Sequence, residues 1–340
     1  MKPKLVKYTV AIAVVAVAAA AAGVWLRGVF YGQGGVTEES SLYIYPDADY
    51  QAVADSVMPK MKYPWAYRIY AGRLDLPATF KPGHYRLTPD MSTVAVVRAV
   101  KLGLQTPVQV AINNARIPAH LAAKLSRQIA ADSTTIANAL YDKALAKEVG
   151  FDSVTLFSMF IPDNYEFYWT VTPEDLVRRM RREYDAYWTA ERDAKRKRSG
   201  LSRLQVMTLA SIVYEETRAV DEMARIAGVY VNRLRKGIPL QADPTVKYAM
   251  QDFQLRRILN KHLKYQSPYN TYVNKGLPPS PIAMPSKDAI EAVLNFEEHE
   301  YIFFCARPTF DGHHNFARTY AEHLANARAY TRELDKRKIK

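Results

Sequence analysis

Between Lys7 and Arg27 the chain reads YTVAIAVVAVAAAAAGVWL, a stretch without a charge. No other segment limits the fold so strongly. About 20 residues rising 1.5 Å each are enough to cross a hydrocarbon core as one helix. Tyr8 and Trp25 are amphipathic aromatics of the kind that suit the two membrane interfaces. A cleaved signal peptide is the rival reading, because the alanine run offers small-residue cleavage sites. The apolar stretch is nevertheless longer than a usual signal-peptide core. Lys2, Lys4 and Lys7 favour a cytoplasmic N-terminus, which leaves everything after Arg27 outside the cytoplasm. The expectation is a single-pass anchor in the inner (cytoplasmic) membrane, with the rest of the chain periplasmic or extracytoplasmic.

The remainder of the chain has the length and composition of two folded units: 340 residues in all, 49% hydrophobic and 24% charged. A single cysteine, Cys305, excludes an internal disulfide, and its place in the apolar run YIFFCA reads as a buried, inert thiol. No Cys/His cluster has ligand spacing. The nearest, Gly312-His313-His314, sets its histidines side by side, where they do not share a helix face. Neither a metal nor another cofactor is therefore expected.

The net charge of +13 raises nucleic acid as a partner, but its distribution argues against one. The basic residues gather in KPKLVK at the start, in RRMRRE and KRKR between Arg178 and Arg198, and in the tail KRKIK. The first cluster has the topological explanation just given. The others read as solvated helix faces, or as surfaces drawn to an anionic layer, with no nucleic-acid motif beside them. Outside the cytoplasm, the remaining large anionic or polymeric partners are the membrane face and the cell wall.

The chain beyond the anchor divides by composition into an α+β arrangement. Residues 1–30 form the cytoplasmic stub and anchor, and the polar, Gly-rich YGQGGVTEESS (31–41) reads as a linker. Residues 42–112 read as a small α/β module, with a strand at LYIYPDA, a helix from Tyr50 to Met61, and a turn at Pro82-Gly83 before a short strand. A helix capped by Ser92 and stopped by Gly103 comes next, then an alternating strand TPVQVAI. The module carries no paired acids, so binding is its expected job. Residues 113–340 read as a larger mixed α+β domain. Its apolar spacing predicts helix from Ile117 to Val149, and Thr172-Pro173 opens another.

In LASIVYEETRAVDE a helix that starts apolar runs into two adjacent acids, Glu215 and Glu216. On a helix, Leu209, Ile212, Val213 and Glu216 share one face, while Glu215 lines up with the polar Thr208 and Ser211. Glu216 therefore extends the buried stripe, where a carboxyl loses hydration of its charged form and its pKa rises. A Glu held protonated near neutral pH is what a general acid at a glycosidic oxygen needs. The competing reading is a structural Glu paired with Arg218 or Arg225. Downstream, Gln241, Asp243 and Thr245 offer hydrogen bonds to a polar substrate. Tyr269, Asn270, Thr271 and Tyr272 alternate flat and hydrogen-bonding groups, as a sugar site does, in a long proline-rich loop that ends at a helix near Ser286. The final hairpin carries His314 on its return strand.

Three blocks carry a resemblance: LASIVYEETRAVDEMARIAGVYVNRLRKGIPLQADPTVKYAM, SPYNTYVNKGLPPSPIAMPS and GHHNFARTYAEH. In that order and spacing the chain resembles the YceG-like, or MltG, family of endolytic murein transglycosylases, from about Phe160 to the end. FKPGHYRL and MSTVAVVRAVKLG look, more loosely, like that family's LysM-like part. The resemblance implies a peptidoglycan lytic transglycosylase, a carbon-oxygen lyase that cleaves the MurNAc-GlcNAc β-1,4 bond within nascent strands and leaves 1,6-anhydroMurNAc ends. The family's catalytic glutamate is the second acid of an acid-x-acid-Thr signature, which falls on Glu216 followed by Thr217. Tyr214 stands where the family usually has the first acid.

QADPTV matches the family's Gln-Thr-Asp-Pro-Thr, with Ala242 in place of Thr, and PYNTY matches from Pro268 to Tyr272. His314 and Phe316 match its His-x-Phe. In FIPDNYEFYW, Ile161 and Asn164 depart from the usual Phe and Thr. The implied substrate-binding set is Gln241, Asp243, Thr245, Tyr269, Asn270, Thr271, Tyr272, His314 and Phe316. The implied partners are peptidoglycan glycan strands, the membrane and, at the family level only, cell-wall synthases. Two other readings stay open: a hydrolysing muramidase using Glu216 and Asp243, and a non-catalytic, membrane-tethered scaffold that binds the wall.

Overall fold

The structure is a computed structural model that describes residues 3–255 and 257–337. Lys2, one of the cations used for topology, and the last three residues of the basic tail lie outside the described residues. The chain separates into two compact units. One comprises residues 1–110, 128–130 and 166–171; the other comprises 111–127, 131–165 and 172–340. Among the described residues the strands form three two-stranded sheets embedded in helices, so the class is α+β.

In the first unit the apolar segment forms one helix, α1 (Pro3–Tyr31), whose part from Lys7 to Tyr31 is long and apolar enough to cross a membrane. Then come β1 (Ser40–Ile44), α2 (Tyr50–Val57), α3 (Pro64–Arg73), α4 (Leu76–Thr79), β2 (Gly83–Leu87), α5 (Thr93–Leu102) and β3 (Val108–Ile112). Local chemistry sets the boundaries. The Asp49 carboxylate accepts from Ala52 N–H to start α2, and Ser92 accepts from Ala95 N–H to start α5. Gly103 stops α5 in the left-handed conformation, with φ 69°. β1 and β2 pair antiparallel, with Leu42 opposite Tyr85 and Ile44 opposite Gly83. Leu42, Ile44, Tyr67, Leu76, Tyr85 and Val97 meet beneath them in one core. His84 bridges the Thr106 carbonyl and the Ser41 hydroxyl at 2.9 and 3.0 Å, which makes it a structural histidine.

The expected linker is not a tether. α1 runs to Tyr31, and the glycines after it are bonded into the unit. Gly34 N–H donates to Pro89 O, Gly35 N–H to Met91 O, and Lys62 N–H to Gly35 O, each at 2.9 Å. Val36 is buried and bridges Met61. Glycine at 35 is a steric requirement here, since a Cβ would sit 2.5 Å from Thr93 N.

The second unit contains α6 (Pro118–Leu125), α7 (Ser133–Tyr141), α8 (Lys143–Glu148), β4 (Asp163–Phe167), α9 (Pro173–Tyr187), α10 (Ala190–Ser199), α11 (Arg203–Glu216) and α12 (Val220–Arg235). After these come α13 (Asp243–Met250), α14 (Asn260–Leu263), α15 (Lys287–Leu294), β5 (Phe303–Ala306), β6 (His314–Ala317) and α16 (Tyr320–Lys336). The predicted helix from Ile117 to Val149 is three helices, because Asp132 and Asp142 each turn a side chain onto the N–H groups of a new first turn. α11 opens with a capping box between Ser202 and Gln205.

Helices α12, α13 and α15 all pack on α11. Every residue from Val206 to Val213 is buried, including Thr208 and Ser211, so the expected polar stripe does not exist. Those hydroxyls are satisfied inside: Thr208 donates to Leu204 O, and Ser211 donates to Thr208 O while accepting from Ile282 N–H. A helix wrapped on all sides leaves only its end free to carry polar groups. Cys305 is half-buried rather than buried; burial still pushes its thiol pKa up, which keeps it unreactive.

Replacing Gly35 with Ala should force the glycine segment off Thr93 at a cost of about 1–3 kcal/mol. The expected readout is a lower denaturation midpoint for the detergent-solubilised chain.

Candidate functional site

Glu216 is the last residue of α11, and Thr217 closes the helix from an extended conformation with its N–H on Val213 O. The next helix returns alongside and places Tyr230 opposite the carboxyl. The Tyr230 hydroxyl donates to Glu216 Oε1 at 2.7 Å. Oε2 is then the oxygen left for a substrate. Burial pushes the Glu216 pKa up from 4.5 to about 7. The Tyr230 hydrogen bond works against that rise, and the nearby carboxylates of Asp243 and Glu215 add to it. Tyr230 is itself buried and its pKa lies well above the ordinary tyrosine value, so it stays a donor. The structural ion pair is not formed: Arg218 goes to Glu215 at 3.6 Å and Arg225 to Glu297 at 2.9 Å.

The two adjacent glutamates face different cavities. Glu216 lines one of about 330 Å³ together with Tyr230, Arg233, Gln241, Asp243 and Tyr272. That volume sits at the low end of small-ligand sites, which run from about 300 to 1,000 Å³. Phe303, Phe304, Tyr320 and His323 complete the wall. Glu215 opens on a second cavity of about 490 Å³ with Asn114, Arg116, His120, Tyr214 and Arg218. There Arg116 pairs with Glu215 at 2.9 Å. Tyr214 holds that wall in place, with its hydroxyl on Asn114 and the Arg218 guanidinium 3.9 Å above its ring.

Of the sequence-derived set, Gln241, Asp243 and Tyr272 come together with Glu216. Asp243 is the first residue of α13 and accepts from the Tyr272 hydroxyl at 2.7 Å. Gln241 has φ 54°, a left-handed conformation that costs a non-glycine residue about 1–3 kcal/mol. Arg233, donating to Gln241 Oε1 at 2.5 Å, and Thr271 O, accepting from Gln241 N–H, hold it there. Arg233 is buried with carbonyl partners at Pro239 and Ile302, and desolvation lowers its pKa.

The other expected binders sit elsewhere. Thr245, Asn270 and Thr271 are at most 1% exposed, so none of them is open to a sugar. Asn270 ties the loop by donating to Leu263 O and Tyr265 O while accepting from Tyr272 N–H. Thr271 accepts from Ala242 N–H and meets Thr245 at 2.8 Å, which joins that loop to α13. Together these bonds position Asp243 and Tyr272. Tyr269 bonds Ser280 and packs on Tyr248, outside the cavity. On the hairpin, Phe304 pairs with Phe316, and Phe316 faces Tyr301. His314 Nδ1 lies 2.7 Å from Oε2 of Glu222, a buried residue on α12 that also accepts His314 N–H at 2.9 Å. This pairing fixes the hairpin against α12. It also brings the His314 ring edge-on to Phe304, with centroids 5.2 Å apart.

The sequence reading missed Tyr230, Arg233 and the aromatic wall. Tyr230 comes from the next helix, so no local spacing connects it to Glu216. Phe303 and Phe304 lay inside a run read simply as a buried strand.

Two stability outcomes are expected. Asn270→Ala orphans two carbonyls and should lower stability by about 1–3 kcal/mol, seen as an earlier urea midpoint. Glu216 keeps its proton up to about pH 7 when folded but would release it near 4.5 when unfolded, so stability falls as pH rises through that window and is flat above it. Glu216→Gln has no proton to lose. It should be more stable than the parent above pH 7 by about 3 kcal/mol and equal to it near pH 4 in urea titrations.

The YceG-like family profile matches residues 42–329. A protein from Bacillus subtilis (strain 168) named endolytic murein transglycosylase is 37% identical over 150 residues, 44% of this chain and 41% of that protein. One of the same name from Streptococcus pneumoniae serotype 2 (strain D39) is 34% identical over 134 residues, 38% of this chain and 24% of that protein. The match thus spans well under half the length of either relative. A crystal structure of a yceG-like protein from Listeria monocytogenes superposes with a TM-score of 0.56 at 24% identity, covering 85% of this chain and 99% of that one. At that identity the likeness is one of fold.

Proposed function

The chain belongs to the YceG-like family, and from that premise we propose that it is an endolytic murein transglycosylase whose catalytic group is Glu216. The observation that carries the reading is a single glutamate at a helix end, raised to about pKa 7, facing a cavity walled by aromatics and hydrogen-bonding groups. The names of the Bacillus and Streptococcus relatives support the substrate. α1 is the anchor, and the cation at Lys7 supports a cytoplasmic N-terminus with both units outside. The antiparallel β1–β2 pair enclosing helices supports a LysM-like assignment for the first unit.

The chemistry uses one carboxyl twice. Protonated Glu216 donates from Oε2 to the glycosidic oxygen as the bond to the MurNAc anomeric carbon breaks. The resulting carboxylate, still held at Oε1 by Tyr230, accepts the proton of the MurNAc 6-hydroxyl as that oxygen attacks the anomeric carbon. The products are a free GlcNAc hydroxyl and a 1,6-anhydro ring, with Glu216 protonated again and no water consumed. An intramolecular nucleophile needs no second carboxylate to activate water, unlike the two-acid glycosidases. Asp243 and Tyr272, hydrogen-bonded to each other, line the cavity beside Glu216. The Asp243 carboxylate is suited to stabilise the positive charge that develops on the sugar ring.

Digestion of purified peptidoglycan, read by mass spectrometry, tests this. Anhydro-MurNAc ends are expected, and Glu216→Gln should reduce their rate of formation about 10²–10⁴-fold. The first step needs the protonated acid, so activity should fall as pH rises above about 7. Tyr230→Phe removes the donor that favours the carboxylate, and should move that limb to higher pH. Products one water heavier would instead make the chain a muramidase using Asp243 as base. Intact glycan binding without cleavage would make it a scaffold.

A further inference from the structure

We propose that α3 lies in the lipid headgroup layer as a second membrane contact beside α1, docking the first unit flat onto an anionic bilayer surface. The inference rests on the reading of α1 as a membrane span. Trp25 stands at the end of the charge-free stretch, two residues before Arg27, and this places its ring at the interface. Trp65, on the first turn of α3, stacks on Trp25 with centroids 6.2 Å apart and planes at 22°. It therefore shares that depth. Phe30 meets Trp65 edge-on at 5.8 Å, and Phe30 and Tyr31 both meet Tyr70 on the inner side of α3. The junction is rigid, because Val29 is buried and its carbonyl accepts from the Thr93 hydroxyl at 3.1 Å.

The outward stripe of α3 is Trp65, Arg68, Ile69, Gly72 and Arg73, all exposed, with Ile69 at 58% and Trp65 at 41%. This stripe sets an exposed indole and an exposed aliphatic beside two arginines, so the apolar groups can enter the acyl boundary while the cations stay among the phosphates. Residues 60–73 hold Lys60, Lys62, Arg68 and Arg73 and no acid, which fits anionic headgroups rather than a zwitterionic surface. Continuity with the span and this charge make lipid the occupant of the face.

The test reconstitutes the full chain in nanodiscs, in a Cys305→Ser background carrying one environment-sensitive fluorophore at Ile69→Cys or at Val14→Cys. Quenching by lipids spin-labelled near the headgroup end or deep in the acyl chain reports depth. The expected result is deep quenching at position 14, and quenching at position 69 by the shallow label that is stronger in phosphatidylglycerol than in phosphatidylcholine. Arg68→Glu combined with Arg73→Glu should remove the position 69 signal and leave that at position 14. A quenched position 14 with an unquenched position 69 overturns the proposal while the anchor stands, and leaves the α3 face to a protein partner. Loss of both signals overturns the anchor reading and the proposal with it.

Discussion

The hydrogen bond from Tyr230 to Glu216 is the interaction on which the proposed chemistry depends. A carboxyl at the end of a helix buried from Val206 to Val213 is held back from ionising by burial and by the acids near it. The phenol donor and, after it, the Lys247 ammonium pull the other way, and the balance lands close to neutrality. Without burial the group would be an ordinary carboxylate and a poor proton donor. A stronger set of donors, or an arginine partner, would have held it charged. Both nearby arginines that could have paired with it are engaged by Glu215 and Glu297 instead.

The surrounding architecture makes that balance possible. α11 is enclosed by α12, α13 and α15, and its internal hydroxyls are satisfied locally, so its interior carries no unpaired polar group. Polar function is displaced to its C-terminal end, where the two glutamates part company. Glu215 enters a network of cations with Arg116 and Arg218, and Glu216 enters an aromatic cavity. The loop holding Asn270 and Thr271 serves the cavity indirectly. Its buried bonds tie α13 to the loop bearing Tyr272, so that Asp243 and Tyr272 meet beside Glu216.

The first unit is tied together in a comparable way. A glycine-rich segment that reads as a flexible tether is stitched into the unit by backbone hydrogen bonds, and the packing of Gly35 on Thr93 leaves no room for a side chain. The apolar helix therefore continues into a folded body without a hinge made of loose chain.

The sequence by itself determined whatever depends on neighbours within a turn or two. This covers the span of α1, the helix starts at Ser92, Thr172 and near Ser286, the glycine stop at Gly103, and the choice of Glu216 over Glu215 as the acid to watch. The stripe argument separated the two glutamates for an incomplete reason, because the face it called polar is buried too. Only the tertiary structure decided which groups meet that acid. Tyr230, Arg233 and the Phe303–Phe304 strand are brought to it by the packing of separate elements. The inward turn of Thr271 and Thr245 likewise depends on contacts across 26 to 29 residues of chain. Periodicity records which side of a helix is apolar; it carries no information about the partner that will cover it. Pairings between distant segments are fixed by the shape and unsatisfied hydrogen bonds of the assembled core.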